Sequence, residues 1–257
     1  MFDTPALSTP ARAAWKDDPA FLASLRRVPD SMAHLARPTA LPLAALDGLP
    51  PLDPLAPIFT DLDDVGLDFM RGFADAMSVR LGRALDPRLA DSWNLGPWMG
   101  VDDYIPYVKE FLASEAFGQL PPKPHAHLFY PAAAAAGHPL YAVTASATDS
   151  VATARRLRNL TALFGDVFQD VIFVPLGQSK RGHLTDLIEK VGRRGLWLED
   201  NHKNARDGAG LGLETYVFRT PHNRMHEAFC TDPLLTWVDN LLPVAQRLGL
   251  SLPSPQG

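Results

Sequence analysis

The sequence of 257 residues is poor in cysteine and has no excess of positive charge. Cys230 is the only cysteine, so neither an intrachain disulfide nor a cysteine-based zinc site can form. Only 24 Lys and Arg residues stand against 29 Asp and Glu residues, which gives a net charge of −5. Proteins that hold nucleic acid through a basic surface usually have the opposite balance. We therefore expect a cytoplasmic protein of a reducing compartment that does not bind a nucleic-acid polymer.

Long hydrophobic runs of the kind that cross or enter a membrane are also missing. The N-terminal residues include acids and lack the apolar segment of a secretory signal. Residues 126–148 carry no Asp, Glu, Lys or Arg, but two histidines and two prolines make this segment a poor membrane span. The segment instead predicts a buried helix followed by a buried strand, and no membrane partner is expected.

Proline is abundant, with 24 residues, and nine of them lie within residues 1–55. Each proline removes a backbone donor and restricts the residue before it, so this N-terminal arm is predicted to be mainly extended, with one helix around residues 18–27. Two interpretations stay open for the arm, which either packs on the main body or forms a partly disordered leader. The hydrophobic fraction of 46% is that of a globular protein.

From Pro57 onward, short apolar runs alternate with helical patterns. Such runs, uninterrupted by charge, are typical of strands covered on both faces; they are Ile58–Thr60, Leu140–Thr144, Val171–Pro175, Leu196–Leu198 and Thr215–Phe218. The alternation predicts an α/β three-layer sandwich around a parallel, Rossmann-like sheet. About eighty residues separate the first two runs, too many for one crossover. We therefore predict a core formed by residues 56–66 and 120–257 and a mainly helical cap inserted over residues 67–119.

Ligands of such sheets bind beyond the carboxyl ends of the strands, and polar residues follow four of the predicted strands. They are Asp61, Asp63, Thr144, Ser146, Lys180, Glu199 and Asp200. Each alone is more typical of a turn or a helix cap. Together they bring acids, hydroxyls and one cation to a single edge of the sheet.

Carboxylates crowded at one edge repel one another unless a cation neutralises them. Oxygen ligands without a suitable His or Cys cluster favour Mg²⁺ over zinc. A carboxylate nucleophile, a magnesium ion, a lysine and a hydroxyl together suit phosphoryl transfer.

Four segments resemble the motifs of the haloacid dehalogenase-like superfamily of aspartate-nucleophile phosphatases. They are PIFTDLDD, LYAVTAS, the lysine of GQSKRGHL, and GLWLEDNHKNA, in the order and spacing of that superfamily. The resemblance covers residues 56–225 and implies a haloacid dehalogenase-like core.

A narrower resemblance points to the 5′(3′)-deoxyribonucleotidase group. DLDDVGLDFMRGF is similar to the opening motif of that group, and WLEDNHKNARDGAGLGLETYVFRTPHNR is similar to its last segment, which contains a Gly-rich turn. Two residues depart from the pattern, since Asp64 stands where the group usually has Gly and Gly66 stands where it has a branched apolar residue. Asp64 adds negative charge beside the expected phosphate site.

The resemblance implies a role for each residue at the sheet edge. Asp61 would attack phosphorus, and Asp63 would protonate the leaving oxygen and later activate water. Thr144 and Lys180 would hold the phosphoryl oxygens, with Ser146 beside them as a substrate-binding residue. Mg²⁺ would be held by the carboxylates of Asp61 and Asp200 and the backbone carbonyl of Asp63, with Glu199 acting through a water molecule.

The cap is expected to select the substrate. Phe69 matches the group's phenylalanine that packs on the base, and four further cap aromatics could stack on it or form a cap core: Trp93, Trp98, Tyr104 and Tyr107. The favoured function is hydrolysis of a (deoxy)nucleoside monophosphate. A phosphatase or phosphomutase for another small phosphoester and a non-catalytic binding scaffold remain as alternatives, and the oligomeric state is left open.

Overall fold

A computed structural model describes residues 52–146, 148–229 and 232–252. Most of the predicted N-terminal arm, including the helix expected at residues 18–27, lies outside the described residues. So does Cys230.

Six parallel strands form one sheet at the centre of the fold. The strands are β1 (Ile58–Thr60), β2 (Leu140–Ser146), β3 (Phe168–Pro175), β4 (Leu196–Glu199), β5 (Glu214–Phe218) and β6 (Leu235–Val238), in the spatial order β3-β2-β1-β4-β5-β6. This is a doubly wound order, in which the chain leaves β1 toward one side of the sheet and returns at β4 to build the other. The carboxyl ends of β1 and β4 are therefore neighbours, and a ligand crevice is expected beside them.

The described helices and helical turns connect and cover these strands. The α-helices are α1 (Phe69–Leu81), α2 (Gly96–Met99), α3 (Ile105–Leu112), α4 (Ala126–Ala135), α5 (Ser150–Phe164), α6 (Arg181–Val191), α7 (His202–Gly210), α8 (Arg224–Phe229) and α9 (Leu242–Arg247), with 3₁₀ turns at Pro87–Leu89, Ala116–Gln119 and Pro221–Asn223. No helix among these residues is both long enough and apolar enough to cross a bilayer.

Three clusters of buried apolar residues pack against the sheet in the described part of the chain, and the smallest joins α7 to β5 and β6. The largest contains apolar residues of α4, α5 and α9 together with Ile58 and Ala142, and it continues into α1 and α3. The third contains Phe59 and Trp197 packed against Leu184 and Leu187 of α6. The predicted α/β sandwich with a parallel sheet and a mainly helical segment between β1 and β2 is thus confirmed. The charge-free segment 126–148 supplies α4 and β2, as its pattern predicts.

One strand, β6, was not predicted from the sequence. β6 is free of charge like the central strands, but Thr236 and Trp237 are partly exposed at the edge of the sheet. In the Gly-rich part of the last segment, Gly208 and Gly210 lie in α7. The turn itself follows at Gly212, whose φ of 78° favours glycine.

Gly208 allows α7 to approach β4 closely. A Cβ atom at this position would lie 2.3 Å from Cδ1 of Trp197, a fully buried side chain whose indole N–H donates to the carbonyl of Asn204. The ring therefore has little room to move aside. The same ring lies under the ammonium group of Lys180, with Nζ 5.5 Å from the ring centroid.

We predict that Gly208→Ala destabilises the protein by about 1–3 kcal/mol because overpacking outweighs the gain in helix propensity. Gly182→Ala is the matched control, since Gly182 also lies in a helix and a Cβ there meets no atom within 4 Å. The control should be neutral or stabilising by up to ~1 kcal/mol. Urea unfolding of both variants measures the difference, and equal effects would contradict the close approach of α7.

Candidate active site

A buried lysine joins two acids at the carboxyl end of the sheet. Asp61 follows β1, and its N–H donates to the Leu198 carbonyl (2.7 Å), which continues the pairing of β1 with β4. Lys180 directly precedes α6. Its Nζ lies 2.6 Å from Oδ2 of Asp61 and 2.8 Å from Oε2 of Glu199. Three residues that the sequence analysis selected separately are thus in direct contact.

Both oxygens of the Glu199 carboxylate are engaged within the protein. Oε2 accepts from Lys180, while Oε1 accepts from the backbone N–H groups of Asp200 (3.1 Å) and Asn201 (3.0 Å). Glu199 therefore fixes the lysine and the turn after β4 at the same time. This arrangement agrees with an indirect role toward a cation and leaves Asp200 as the acid of the pair that is free to bind one directly.

Two hydroxyl groups of β2 face no protein partner. Thr144 and Ser146 are two residues apart, so they share a face of the strand, and both are buried. Neither Oγ1 of Thr144 nor Oγ of Ser146 has a hydrogen-bond partner among the described residues. A buried hydroxyl without a partner is costly, so this pair indicates a site that a ligand completes.

Asp63 forms an ion pair with Arg156, which the sequence analysis did not select. Nη2 of Arg156 donates to Oδ1 of Asp63 at 2.6 Å. The guanidinium group is fully buried and lies 4.0 Å from the ring centroid of Phe117. The sequence gives one signal for this residue, which is a charge at a core-facing position of α5. In the sequence alone, that charge makes the position look like part of the solvent-exposed side of the helix.

Asp64 adopts a left-handed backbone conformation with a φ of 57°. Its Oδ1 lies 3.3 Å from the Nζ of Lys123, which is also 3.4 Å from Oδ1 of Asp68. The sequence analysis noted Asp64 as a departure from the family pattern but missed Lys123, because nothing in the sequence places residue 123 beside residue 64.

His222 lies beside Asp200, so a ring nitrogen adjoins the acids at a position that the sequence did not lead us to expect. Nε2 of His222 is 3.1 Å from Oδ2 of Asp200, and the ring is buried. The indole of Trp93 contacts it at a centroid distance of 4.1 Å. His222 follows β5, a strand to which no site residue was assigned.

The cap aromatics are divided between two environments. Phe69 opens α1, is partly buried, and contacts Phe73 (5.8 Å between centroids) and Phe111 (5.5 Å). Trp98, Tyr104 and Tyr107 also pack against this core, whereas Trp93 contacts His222. The structure therefore brings Trp93, and not the other three, to the acids.

The acids repel one another in a buried setting. Burial, and secondarily the charge of Glu199, raises the pKa of Asp61 to about 7, although Lys180 opposes this shift. Burial likewise raises the pKa of Asp63 to about 6 against the effect of Arg156. Burial together with the charges of Asp61 and Asp64 raises the pKa of Asp200 well above its ordinary value. Negative charge is thus in excess at this edge of the sheet.

A divalent cation would offset this excess of negative charge. The carboxylate oxygens of Asp61, Glu199 and Asp200 lie within 4.8 Å of one another, and the three residues are buried. Crowded carboxylates are the ligands that hard cations prefer. A second group that meets the same distance limit consists of Asp64, Asp200 and His222.

Comparison with solved structures identifies the fold. A haloacid dehalogenase-like hydrolase from Streptococcus pneumoniae is 13% identical over 74% of this chain and 97% of that chain, with a TM-score of 0.53. A predicted phosphoglycolate phosphatase from Haemophilus somnus is 15% identical over 76% and 98%, with a TM-score of 0.56. A putative β-phosphoglucomutase from Bacteroides vulgatus is 17% identical over 80% and 93%, with a TM-score of 0.50.

The similarity to these structures shows that the chain has a haloacid dehalogenase-like fold, which confirms the fold part of the resemblance. No protein-family model matches the chain, and no curated protein matches it in sequence. The narrower resemblance to nucleotidases therefore stays a prediction.

The raised pKa of Asp61 predicts how the stability of the metal-free protein depends on pH. A carboxyl whose pKa is higher in the folded state binds its proton more tightly there, so its contribution to the free energy of unfolding falls as pH rises from about 4 to about 7. Asp61→Asn removes this contribution. In chelator, the variant should gain ~1 kcal/mol or more relative to wild type between pH 5 and pH 8.

Unfolding by urea at fixed ionic strength measures this difference. The comparison with the variant is needed because burial lowers the pKa of several histidines, His222 and His202 among them, and these favour folding at higher pH. If the free energy of unfolding changes with pH in the same way for wild type and variant, the pKa of Asp61 is not raised in the folded state.

Proposed function

We propose that this protein is a cation-dependent phosphatase that uses Asp61 as its nucleophile and hydrolyses a (deoxy)nucleoside monophosphate. One observation carries the proposal: Lys180 holds Asp61 while two buried hydroxyls, those of Thr144 and Ser146, have no hydrogen-bond partner in the described part of the chain. A nucleophile beside a cation and two free donors provides what a phosphoryl group needs. The haloacid dehalogenase-like fold agrees with this chemistry but does not by itself specify it.

Contacts with the protein fix both oxygens of the Asp61 carboxylate. Its Oδ1 accepts from the N–H of Leu62 (2.8 Å), and its Oδ2 contacts Lys180 (2.6 Å). Attack forms a bond between a carboxylate oxygen and phosphorus while the bond from phosphorus to the leaving oxygen breaks. Lys180, Thr144 and Ser146 would then bind the oxygens of the transferred group.

Asp63 would supply the proton for the leaving oxygen and take a proton from the water that later attacks the aspartyl-phosphate. A pKa of about 6 suits both steps near neutral pH. General acid–base groups contribute ~10²–10⁴-fold to rate. Arg156 would position the carboxylate of Asp63 through their 2.6 Å contact.

The residues present fit a divalent cation, and we propose Mg²⁺. Asp61 and Asp200 would hold it with the backbone carbonyl of Asp63, and Glu199 would orient Asp200 through its backbone N–H. When bound, the cation would offset the charge that develops on the phosphoryl oxygens.

Aromatic residues in the segment before β2 support a substrate with a base. Phe69 lies eight residues after Asp61 and is partly exposed. A helical rise of ~1.5 Å per residue keeps the first turn of α1 within the length of a nucleotide from the phosphate site. Base stacking on an aromatic ring contributes ~1–3 kcal/mol.

Two other functions remain as alternatives. The similar structures include a predicted phosphoglycolate phosphatase and a putative β-phosphoglucomutase, which favours a phosphatase or phosphomutase for another small phosphoester as the second candidate. A non-catalytic scaffold is the third, and the intact set of Asp61, Asp63, Thr144, Lys180 and Asp200 argues against it.

We predict that Asp61→Asn abolishes phosphate release. Purified wild type should release phosphate from at least one nucleotide in a screen of nucleotides and sugar phosphates with Mg²⁺, and EDTA should abolish this release. The amide of the variant cannot attack phosphorus and binds a cation weakly. Circular dichroism checks that the variant is folded.

Asp170→Asn is the control, because Asp170 is an acid of β3 whose ion pair with Lys190 lies on the exposed surface. It should retain full activity. Full activity of Asp61→Asn in Mg²⁺ would refute the nucleophile, and unchanged turnover in EDTA would refute the cation.

We predict that Phe69→Ala raises the Michaelis constant for nucleotides roughly five- to hundredfold and affects a small non-nucleoside phosphoester much less. Phe73→Ala is the matched control, because Phe73 belongs to the same aromatic cluster but is fully buried. Both variants should melt at lower temperature. Equal losses on the two substrates in Phe69→Ala would favour the second candidate function.

A further inference from the structure

Three buried side chains from separate parts of the chain meet beside the proposed nucleophile. Asp64 follows β1, Asp200 follows β4, and His222 follows β5. One donor atom from each lies within 4.8 Å of the others. Of these three residues, only Asp200 has a role in the proposed reaction.

The position of His222 is fixed by a neighbouring amide. The side-chain nitrogen of Asn223 donates to the carbonyls of Asp200 (2.8 Å) and Phe218 (2.7 Å), while its oxygen accepts from the N–H of Thr220 (2.9 Å). Asn223 thereby ties the end of β5 to the turn after β4. His222 and Asp200 are consequently held face to face, with Nε2 3.1 Å from Oδ2.

That separation is the one expected for two neighbouring ligands of one cation. Ligands at right angles around an ion with bonds of ~2.1 Å lie ~3.0 Å apart. The other ring nitrogen, Nδ1, is buried and has no hydrogen-bond partner among the described residues. The hydrogen-bonding contact of the ring among the described residues is therefore with the Asp200 carboxylate, toward which Nε2 points.

The backbone conformation of Asp64 directs its carboxylate toward Asp200 and His222. It lies in the left-handed region, which aspartate tolerates better than most residues. The N–H of Met70 and Nζ of Lys123 both contact its Oδ1 at 3.3 Å. Oδ2 is thus the oxygen left for an additional partner.

A charge count leaves room for two divalent cations when substrate is bound. Four buried acids, Asp61, Asp64, Glu199 and Asp200, and the partly buried Asp68 face the two ammonium groups of Lys180 and Lys123, while Asp63 and Arg156 neutralise each other. The three remaining negative charges are more than one divalent cation offsets. A phosphate monoester adds ~2 more near neutral pH, and a second divalent cation would match these.

We propose that Asp64, Asp200 and His222 form a second cation site that shares Asp200 with the first and prefers a transition-metal ion such as Mn²⁺ over Mg²⁺. The imidazole nitrogen is the reason for the preference, since Mg²⁺ favours an all-oxygen environment whereas nitrogen ligands suit transition metals. Paired cations that share a carboxylate are an established arrangement for clamping phosphoryl oxygens. The charge argument rests on the proposed phosphatase function, but occupancy of the site can be measured without substrate.

Counting bound Mn²⁺ tests the site directly. The full-length protein is titrated with Mn²⁺ and free Mn²⁺ is followed by electron paramagnetic resonance, first alone and then in saturating Mg²⁺. Without Mg²⁺, we expect two Mn²⁺ ions bound per chain. In a large excess of Mg²⁺, we expect one of these two ions to remain bound.

Asp64→Asn and His222→Gln should each abolish binding of the Mn²⁺ ion that resists Mg²⁺, or lower its affinity at least ~10-fold. Tenfold is the lower end of the loss that follows removal of a supporting group around a metal. Asn tolerates the left-handed conformation of residue 64, so Asp64→Asn remains informative even where His222→Gln does not fold. Asp68→Asn and His202→Gln are the matched controls, because Asp68 also contacts Lys123 and His202 is another partly buried histidine, yet neither belongs to the cluster. Both controls should bind two ions.

A single Mn²⁺ in wild type, or two that persist in both Asp64→Asn and His222→Gln, would overturn the second site. Failure of the proposed function looks different. In that case the screen detects no phosphate release, while the Mn²⁺ count and its response to the variants are unaffected.

Discussion

The burial of the Lys180 ammonium group between Asp61 and Glu199 is the interaction on which the rest of the site depends. It joins the end of β1 to the end of β4 and the start of α6, and almost no part of the side chain reaches solvent. An ammonium group can be removed from water only where paired acids compensate it. The second oxygen of Glu199 then fixes the turn that carries Asp200. One ion pair network therefore sets the positions of two strand ends and one helix start.

The same network explains why so many acids can lie so close together. Carboxylates that face one another in a buried site must be protonated, paired or bound to a cation. Here Lys180, Arg156 and Lys123 pair with Asp61, Asp63 and Asp64 in turn. Among the described residues Asp200 forms no ion pair with a lysine or arginine and contacts His222 instead, so it is the acid whose charge most needs a cation. The sheet thus concentrates negative charge at the place where a phosphate is proposed to react, and the charge is tolerated only with cations nearby.

Much of the sheet could be predicted because its central strands are buried on both faces and read as charge-free runs. β6 was not predicted, although it too is free of charge, because it has only four residues and two of them, Thr236 and Trp237, are partly exposed. Asp61, Thr144, Lys180 and Asp200 could be selected because each follows or precedes a recognisable strand or helix.

Arg156, Lys123 and His222 could not be selected from the sequence, because their roles arise from long-range packing. Arg156 looks like one more charge on an amphipathic helix until α5 is placed against Asp63 and Phe117. His222 lies in the segment that resembles the last segment of the nucleotidase group, but no role was assigned to it there, and only the parallel pairing of β4 with β5 brings it to Asp200. Gly66 has a packing explanation that the sequence did not reveal, since a Cβ there would lie 2.9 Å from the hydroxyl of Tyr130.

The central claim is that Asp61 becomes covalently phosphorylated during turnover. Rapid mixing with a substrate found by the screen, followed by reduction with borohydride, converts an aspartyl-phosphate to homoserine, which peptide mass spectrometry locates. The account predicts homoserine at position 61, formed only when both substrate and cation are present. Steady phosphate release with no modification at position 61 would contradict it.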